Sequence, residues 1–258
     1  MTVLTFPSSQ DPDPECWTTA HRGYWNNVAN RYDDLYTTSW SRRENQLVSQ
    51  RLAAAQLPDD PVILDLGCGT GLGATLVRQV RPDASYVGVD LSPAMLDIAQ
   101  RRDPDGTYIT ETFDEGLAFL DTASVDCVLA LFSTMSFSLD STRMLESIRR
   151  VLKPSGWGYV SALGSASISS LRRPIPSRYR TRGDEDLEGV TAHRFKAADL
   201  RAKALALGLS EVQVSGMNAF SGVAEVSPLW WPGRVLSYVK PDLSHLLELT
   251  FRKPHEGA

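Results

Sequence analysis

Apolar positions along this chain fall into blocks whose period changes repeatedly, from helical steps to short continuous runs. From Thr18 to about Gln56 the spacing is helical. Tyr24, Trp25, Val28, Tyr32, Leu35 and Tyr36 recur at three- and four-residue steps, and a second such run extends from Trp40 through Ala55. Val62-Ile63-Leu64-Asp65-Leu66 is a compact apolar run closed at once by glycines, the pattern of a strand buried on both faces. Helix and strand then alternate. The pattern predicts helices over Ala74–Val80, Pro93–Arg101 and Thr142–Leu152, and strands over Tyr86–Val89, Tyr108–Thr112, Val125–Leu131 and Trp157–Leu163. Such alternation implies an α/β fold of right-handed βαβ crossovers, with a largely parallel sheet covered on both faces.

The rhythm breaks over residues 164–193. This stretch is Ser-rich at first, then carries Arg172, Arg173, Arg178, Arg180 and Arg182, then Asp184, Glu185, Asp186 and Glu188. A loop or lid with self-neutralising charges fits that composition; reception of a substrate carboxylate or phosphate by one or two of the arginines is the sharper alternative. Helical spacing returns at Ala197–Leu207, Gly208 is a stop signal, and Ser210–Ser215 and Leu246–Arg252 read as strands. Residues 217–245, with Pro228, Trp230, Trp231 and Pro232, are too irregular for sheet or long helix. Residues 1–17, with Pro7, Pro12 and Pro14 among polar neighbours, are expected to form a flexible tail.

Composition narrows the classes. The chain has 258 residues, 26 basic against 31 acidic, so its net charge of −5 does not suit a general nucleic-acid binder. Cys16, Cys68 and Cys127 are odd in number and far apart, which supports neither a disulfide framework nor a zinc ribbon. The start lacks a basic segment followed by an apolar run, and no stretch approaches the roughly 18 apolar residues of a spanning helix, so a cytoplasmic protein without membrane partners is expected. His21, His193, His245 and His255 show no metal-ligand spacing, and no metal is expected.

The most informative residues are Asp65-Leu66-Gly67-Cys68-Gly69-Thr70-Gly71 at the end of the first strand. Glycines there let backbone amides approach a ligand closely, while the acid disfavours a pyrophosphate and suits a cationic group. A second acid, Asp90, ends the next strand, where acids in doubly wound folds take a ribose hydroxyl pair. Together the two describe a nucleoside with a positive tail.

In these residues the sequence resembles the class I methyltransferases that use S-adenosylmethionine, over roughly residues 20–165. The resemblance implies a doubly wound, mostly parallel seven-stranded sheet of order 3-2-1-4-5-7-6. It also implies a single domain over 1–258, with residues 18–56, 164–193 and 217–245 as a helical and loop cap over the active site. It points to Asp65, Gly67, Cys68, Gly69 and Gly71 for the methionine part of the cofactor and Asp90 for its ribose. Leu91 and Met95 would sandwich adenine, with Phe113 beside it and Asp114 accepting from its exocyclic amine, Glu111 being the rival for that role. Phe132 and Ser133 would lie beside the sulfonium and the substrate. Tyr24-Trp25-Asn26-Asn27-Val28-Ala29-Asn30-Arg31-Tyr32-Asp33 resembles the helix covering the cofactor, with Tyr32 reaching its carboxylate.

Tyr24 on that helix, whose aromatic stripe reads equally as core packing, and His193 where the lid rejoins the core are the catalytic candidates, His193 as a base, with a surface or capping role as its alternative and His21 in a similar position. The implied reaction is methyl transfer to a small molecule, an amine or hydroxyl being favoured and a secondary metabolite suiting an aromatic cap. A cofactor-binding protein without transfer is the alternative. Gly69-x-Gly71-x-x-Ala74 also satisfies the dinucleotide fingerprint of dehydrogenases, but that reading leaves Asp65, Met95 and Lys153-Pro154-Ser155-Gly156 unexplained.

Overall fold

The computed structural model describes residues 13–113, 117–168, 190, 192–221 and 225–255. Its frame is one sheet built from β1 (Val62–Leu66), β2 (Ser85–Asp90), β3 (Thr107–Thr110), β4 (Val125–Ala130), β5 (Leu152–Gly164), β6 (Arg194–Phe195), β7 (Ser210–Gly216) and β8 (Leu246–Arg252). The strands lie in the order β3-β2-β1-β4-β5-β8-β7, and β6 adds a two-residue pairing to the end of β5. All neighbours are parallel except β8, which runs antiparallel to both β5 and β7. With the short β6 set aside, this is the seven-stranded order that the resemblance implied.

Alternation along the central strands divides the core into two layers. On one face Leu64 and Leu66 of β1, Val128 and Ala130 of β4 and Val160 of β5 pack with Met144, Leu145 and Ile148 of helix α5 (Ser141–Val151). On the other, Ile63, Cys127, Leu129 and Tyr159 meet Ala74 and Val77 of α3 (Leu72–Val80) and Val48 and Leu52 of α2 (Ser39–Ala53). The helices start where their caps dictate: Ser92 accepts from Met95 N ahead of Pro93 in α4 (Pro93–Arg102), and Asp140 accepts from Thr142 N and Arg143 N ahead of α5. α6 (Ala197–Ala206) covers the β7 edge.

Three expectations are corrected here. The first helix, α1 (Pro14–Tyr32), begins inside the segment read as a tail: Asp13 accepts from Cys16 N, Pro14 occupies the first turn, where its missing N–H costs nothing, and Trp17 is buried. Only residues 1–12 of that segment fall outside the described part. The stretch 217–245 holds α7 (Trp230–Val239), because Pro232 falls in the first turn and leaves the rest free to propagate. β5 begins at Leu152, five residues before the predicted Trp157, and carries Lys153-Pro154-Ser155-Gly156 along its first part. Most of 164–193, including the arginine cluster, lies outside the described residues. Among the described residues, no helix is long and apolar enough to cross a membrane.

One buried polar knot ties the antiparallel end to the rest. Glu248, near the middle of β8 and 1 % exposed, accepts from Tyr159 Oη at 2.6 Å and from Arg51 Nε and Nη2 at 3.0 and 2.9 Å, while Ser215 Oγ of β7 donates to it at 3.2 Å. A helix and three strands therefore converge on a single carboxylate.

Candidate active site

A cleft opens at the carboxyl ends of β1, β2 and β4, where ligands settle in open α/β sheets, and it encompasses about 840 Å³ with its mouth included. Its floor is the turn after β1, where Gly67, Gly69 and Gly71 all have positive φ, between 54° and 81°. A side chain at Gly69 would enter the space beneath Tyr32, whose Cε1 stands 3.9 Å from where a Cβ would be. The turn is anchored by Asp90. Its Oδ2 accepts from Gly69 N and its Oδ1 from Ser92 N, both at 2.9 Å. Burial raises Asp90 to about 6, against the pull of the Ser92, Gly69 and Leu91 amides. Leu91, Met95, Thr112 and Phe113 wall the same side.

The opposite wall comes from the end of β4. Leu131, Phe132, Thr134 and Phe137 line it, and the consecutive residues Phe132 and Ser133 both adopt positive φ, 53° and 70°. Non-glycine residues reach that region at a cost, offset here by Ser133 N donating to Ser161 Oγ at 2.8 Å and by packing. Phe132 thereby lines the cleft, while Ser133 turns inward, its N–H on Ser161 and its C=O accepting from Ser136 N.

α1 forms the roof, presenting Trp17, Thr18, His21, Trp25 and Tyr32 on one face. It is latched at two points. Asn26 Oδ1 accepts from Ser92 Oγ at 2.7 Å, and Asp33, just beyond the helix, accepts from Thr70 Oγ1 at 2.6 Å and from Arg102. These bonds set Tyr32 over the glycine turn, with its hydroxyl 3.0 Å from that of Tyr36; burial and Tyr36 raise its pKa.

Of the residues singled out from sequence, Gly67, Cys68, Gly69, Asp90, Leu91, Met95, Phe113, Phe132 and Tyr32 line this cleft. Asp114 lies outside the described residues, and Glu111 Oε1 accepts from Thr112 N. Four others need correction. Asp65 turns beneath α3, accepting from Tyr86 Oη at 2.6 Å in the room left by Gly73, because its place in β1 shares a face with Ile63. Gly71 starts α3 in a left-handed conformation, and a Cβ there would meet Ala99 of α4 at 3.1 Å, so its smallness serves helix packing. Tyr24 is buried where α1 packs on α4, with Val28 and Met95. His193 donates its backbone N–H to Ser136 O and stands behind Trp17, ring centroids 5.8 Å apart, rather than lining the cleft.

The structure instead brings forward His21, named from sequence only beside His193, together with Trp17 and Thr18, which sequence reasoning passed over. Asp13 as a cap and Pro14 as a first-turn proline were the available signal. His21 is 2 % exposed and stacked on Trp17 at 4.1 Å; burial and the neighbouring His193 lower it to about 4, so its imidazole is neutral at pH 7.

Asp65 makes a measurable prediction. Burial, with Asp90 adding and Tyr86 opposing, raises it to about 7, and its Oδ1 has no hydrogen-bond partner among the described residues. A carboxyl whose folded pKa lies above its unfolded one stabilises the fold fully below about pH 4, and that contribution is lost as pH rises through 7. Asp65→Asn should therefore gain on the parent between pH 4.5 and 7.5. The whole shift is worth about 4 kcal/mol, of which about 3 kcal/mol falls between these two pH values, and the cost of an unpartnered amide is the same at both and does not change the widening. Urea denaturation at both pH values checks this, and a gap that does not widen refutes it.

Comparison with known proteins fits this geometry. Residues 63–156 match the family model described as "Methyltransferase domain". The chain is 33% identical over 136 residues to the demethylmenaquinone methyltransferase of Thermotoga maritima, covering 50% of this chain and 55% of that one. It is 34% identical over 143 residues to the protein of the same name from Chlorobaculum tepidum, with 54% and 57% covered. The chain thus spans about half the length of the curated relatives it matches. Among solved structures, the fold superposes on Haemonchus contortus phosphoethanolamine N-methyltransferase 2, in complex with phosphomonomethylethanolamine and S-adenosylhomocysteine. The TM-score is 0.66 at 19% identity, over 95% of this chain and 62% of that one. The matched model spans β1 to the start of β5, and the strand order and glycine turn resemble those of class I S-adenosylmethionine-dependent methyltransferases.

Proposed function

We propose that this protein transfers a methyl group from S-adenosylmethionine to an amine or hydroxyl of a small molecule, a secondary metabolite among the candidates, by in-line displacement. One observation carries the reading. The Asp90 carboxylate stands in the cleft wall, fixed by the very turn whose glycines leave room for a ligand.

The residues present fit the cofactor. Asp90 keeps lone pairs beyond those used by Gly69 N and Ser92 N, enough for a ribose diol. Leu91, Met95 and Phe113 supply apolar surface for adenine, and the space between Gly69 and Tyr32 suits the methionine part. When bound, the cofactor supplies a sulfonium-activated methyl group. The chain needs to add alignment and dryness, because holding reactants in line removes most of the entropic barrier. α1, tied to Ser92 and Thr70, closes the cleft from above, and the backbone around Phe132 and Ser133 borders the acceptor side. Residues 1–258 then work as one domain with α1 as its principal cover; none of the described residues of 217–245 lines the cleft.

Titration calorimetry with S-adenosylmethionine, S-adenosylhomocysteine and NADH in parallel tests the reading. Binding of the two adenosyl compounds, followed by release of S-adenosylhomocysteine in an acceptor screen, is expected. Binding of NADH alone would overturn it, and adenosyl binding with no product from any acceptor would leave a nucleoside-binding protein.

A further inference from the structure

The half of the cleft under α1 differs in chemistry from the nucleoside half. Trp25 and Phe137 meet edge to face with centroids 5.2 Å apart, and Trp17 stacks on His21. Among the described residues lining the cleft, Asp90 carries the sole full charge, and it stands at the end of β2. Among the described residues under α1, a cationic acceptor would find no counter-ion and an anionic one no cation. Beside those residues either charge would be left uncompensated against aromatic walls. A flat apolar molecule gains instead from offset and edge-on ring contacts. Three polar side chains border this half: Thr18, His21 and Thr134, and the Thr134 hydroxyl already donates to Leu131 O at 2.7 Å.

We propose that this chamber binds an uncharged planar aromatic acceptor through Trp17, Trp25 and Phe137, and that His21 receives the proton of its phenolic hydroxyl. The inference rests on the reading of the cleft as a methyl-transfer site and names its substrate class. A phenol holds its proton at neutral pH, so it needs a base where a neutral amine needs none.

The step balances. A lone pair of the phenolic oxygen forms the bond to the methyl carbon, the carbon–sulfur bond breaks with its electron pair remaining on sulfur, and the O–H proton passes to the imidazole. The products are an aryl methyl ether, S-adenosylhomocysteine and imidazolium, which returns its proton to solvent. Positive charge leaves sulfur as it arrives on the ring, so the imidazolium does not have to form beside a full sulfonium. That compensation matters for a histidine whose burial disfavours the charged form. Trp17, face to face with the ring, gives the cation a π surface. Among the described residues, His193 is a titratable group acting on His21, and Lys203 and Asp140 act in turn on His193.

A matched ligand set tests the chamber without cofactor: 2-naphthol, naphthalene, 2-naphthoate and 2-naphthylmethylammonium, each titrated calorimetrically at pH 7. 2-Naphthol should bind about tenfold more tightly than each of the others. Stronger binding of either ion, equal binding of naphthalene, or no binding of any member would overturn the proposal. His21→Phe keeps a flat ring and removes the proton acceptor; a naphthol preference that survives in this folded variant would overturn the role of His21. His21→Gln provides the second readout. With 2-naphthol as acceptor, parent turnover should stay flat from pH 6 to 8, whereas the variant should rise about tenfold per pH unit as solvent supplies phenolate. Equal slopes would refute proton transfer to His21. A naphthol preference without S-adenosylmethionine binding would overturn the transfer reading and the proton step with it. Cofactor binding without that preference would overturn the acceptor class alone.

Discussion

Glu248→Ala should destabilise the fold by about 3–5 kcal/mol, as breaking one side of a buried charge pair does. The substitution leaves the Arg51 guanidinium and the Tyr159 hydroxyl facing a vacated, nearly inaccessible site, and it removes the side-chain links from β8 to Arg51 of α2 and Ser215 of β7 while the backbone ladder stays. The Arg51 side chain keeps 28% of its surface in solvent, which limits the loss to the lower part of that range. Glu248→Gln preserves an acceptor for Tyr159 and should cost about 1–2 kcal/mol. The double variant Arg51→Met with Glu248→Leu should recover much of the loss, because the penalty comes from an orphaned charge rather than from missing attraction. Urea unfolding of the three variants measures this. A loss below about 1 kcal/mol for Glu248→Ala would show that water reaches Arg51 and that the knot contributes little. Affinity for S-adenosylmethionine should be unchanged, since the network lies outside the cleft.

The strand–turn–helix unit was legible because its determinants are local. Val62–Leu66 is apolar throughout, and the glycines after it sit at backbone angles that favour glycine, so sequence and structure state the same constraint. Asp90 was legible for a similar reason, standing at the end of the next strand within reach of that turn. Direction was harder to see. Strand alternation puts Asp65 on the Ile63 face, under α3, and Gly73 is the residue that makes room there; the resemblance overrode that parity and aimed the acid at the cofactor. His21 and His193 show the limit of reading along the chain. The Trp17–His21 stack, four residues apart on α1, follows once that helix is placed, but nothing within α1 says which of its faces will meet Phe137 from the end of β4, so the burial that makes His21 neutral could not be derived before the fold was assembled. α7 was missed because Pro232 counts against a helix everywhere except in its first turn, and its position in the turn depends on where the helix begins.

Asp90→Ala should weaken S-adenosylmethionine and S-adenosylhomocysteine about a hundredfold, the equivalent of one charge-assisted hydroxyl pair. The substitution removes two things together: the ribose acceptor, and the anchor that holds Gly69 N and Ser92 N at 2.9 Å. A ligand pair separates them. The parent should prefer adenosine over 2′,3′-dideoxyadenosine by at least about tenfold, and the variant should bind both equally weakly, because only the hydroxyls report on the carboxylate. If Asp90→Ala kept that preference while losing affinity for both, Asp90 would serve the turn alone, and the ribose would have to be held elsewhere. Acid gives an independent check on the same atom. Asp90 is raised to about 6, and the ionised form is the better acceptor for two hydroxyls, so parent affinity should be full above pH 7 and fall as pH drops through 6. In Asp90→Ala that acid limb should vanish. Its persistence would assign the limb to Asp65, the other carboxyl whose ionisation burial pushes towards neutrality.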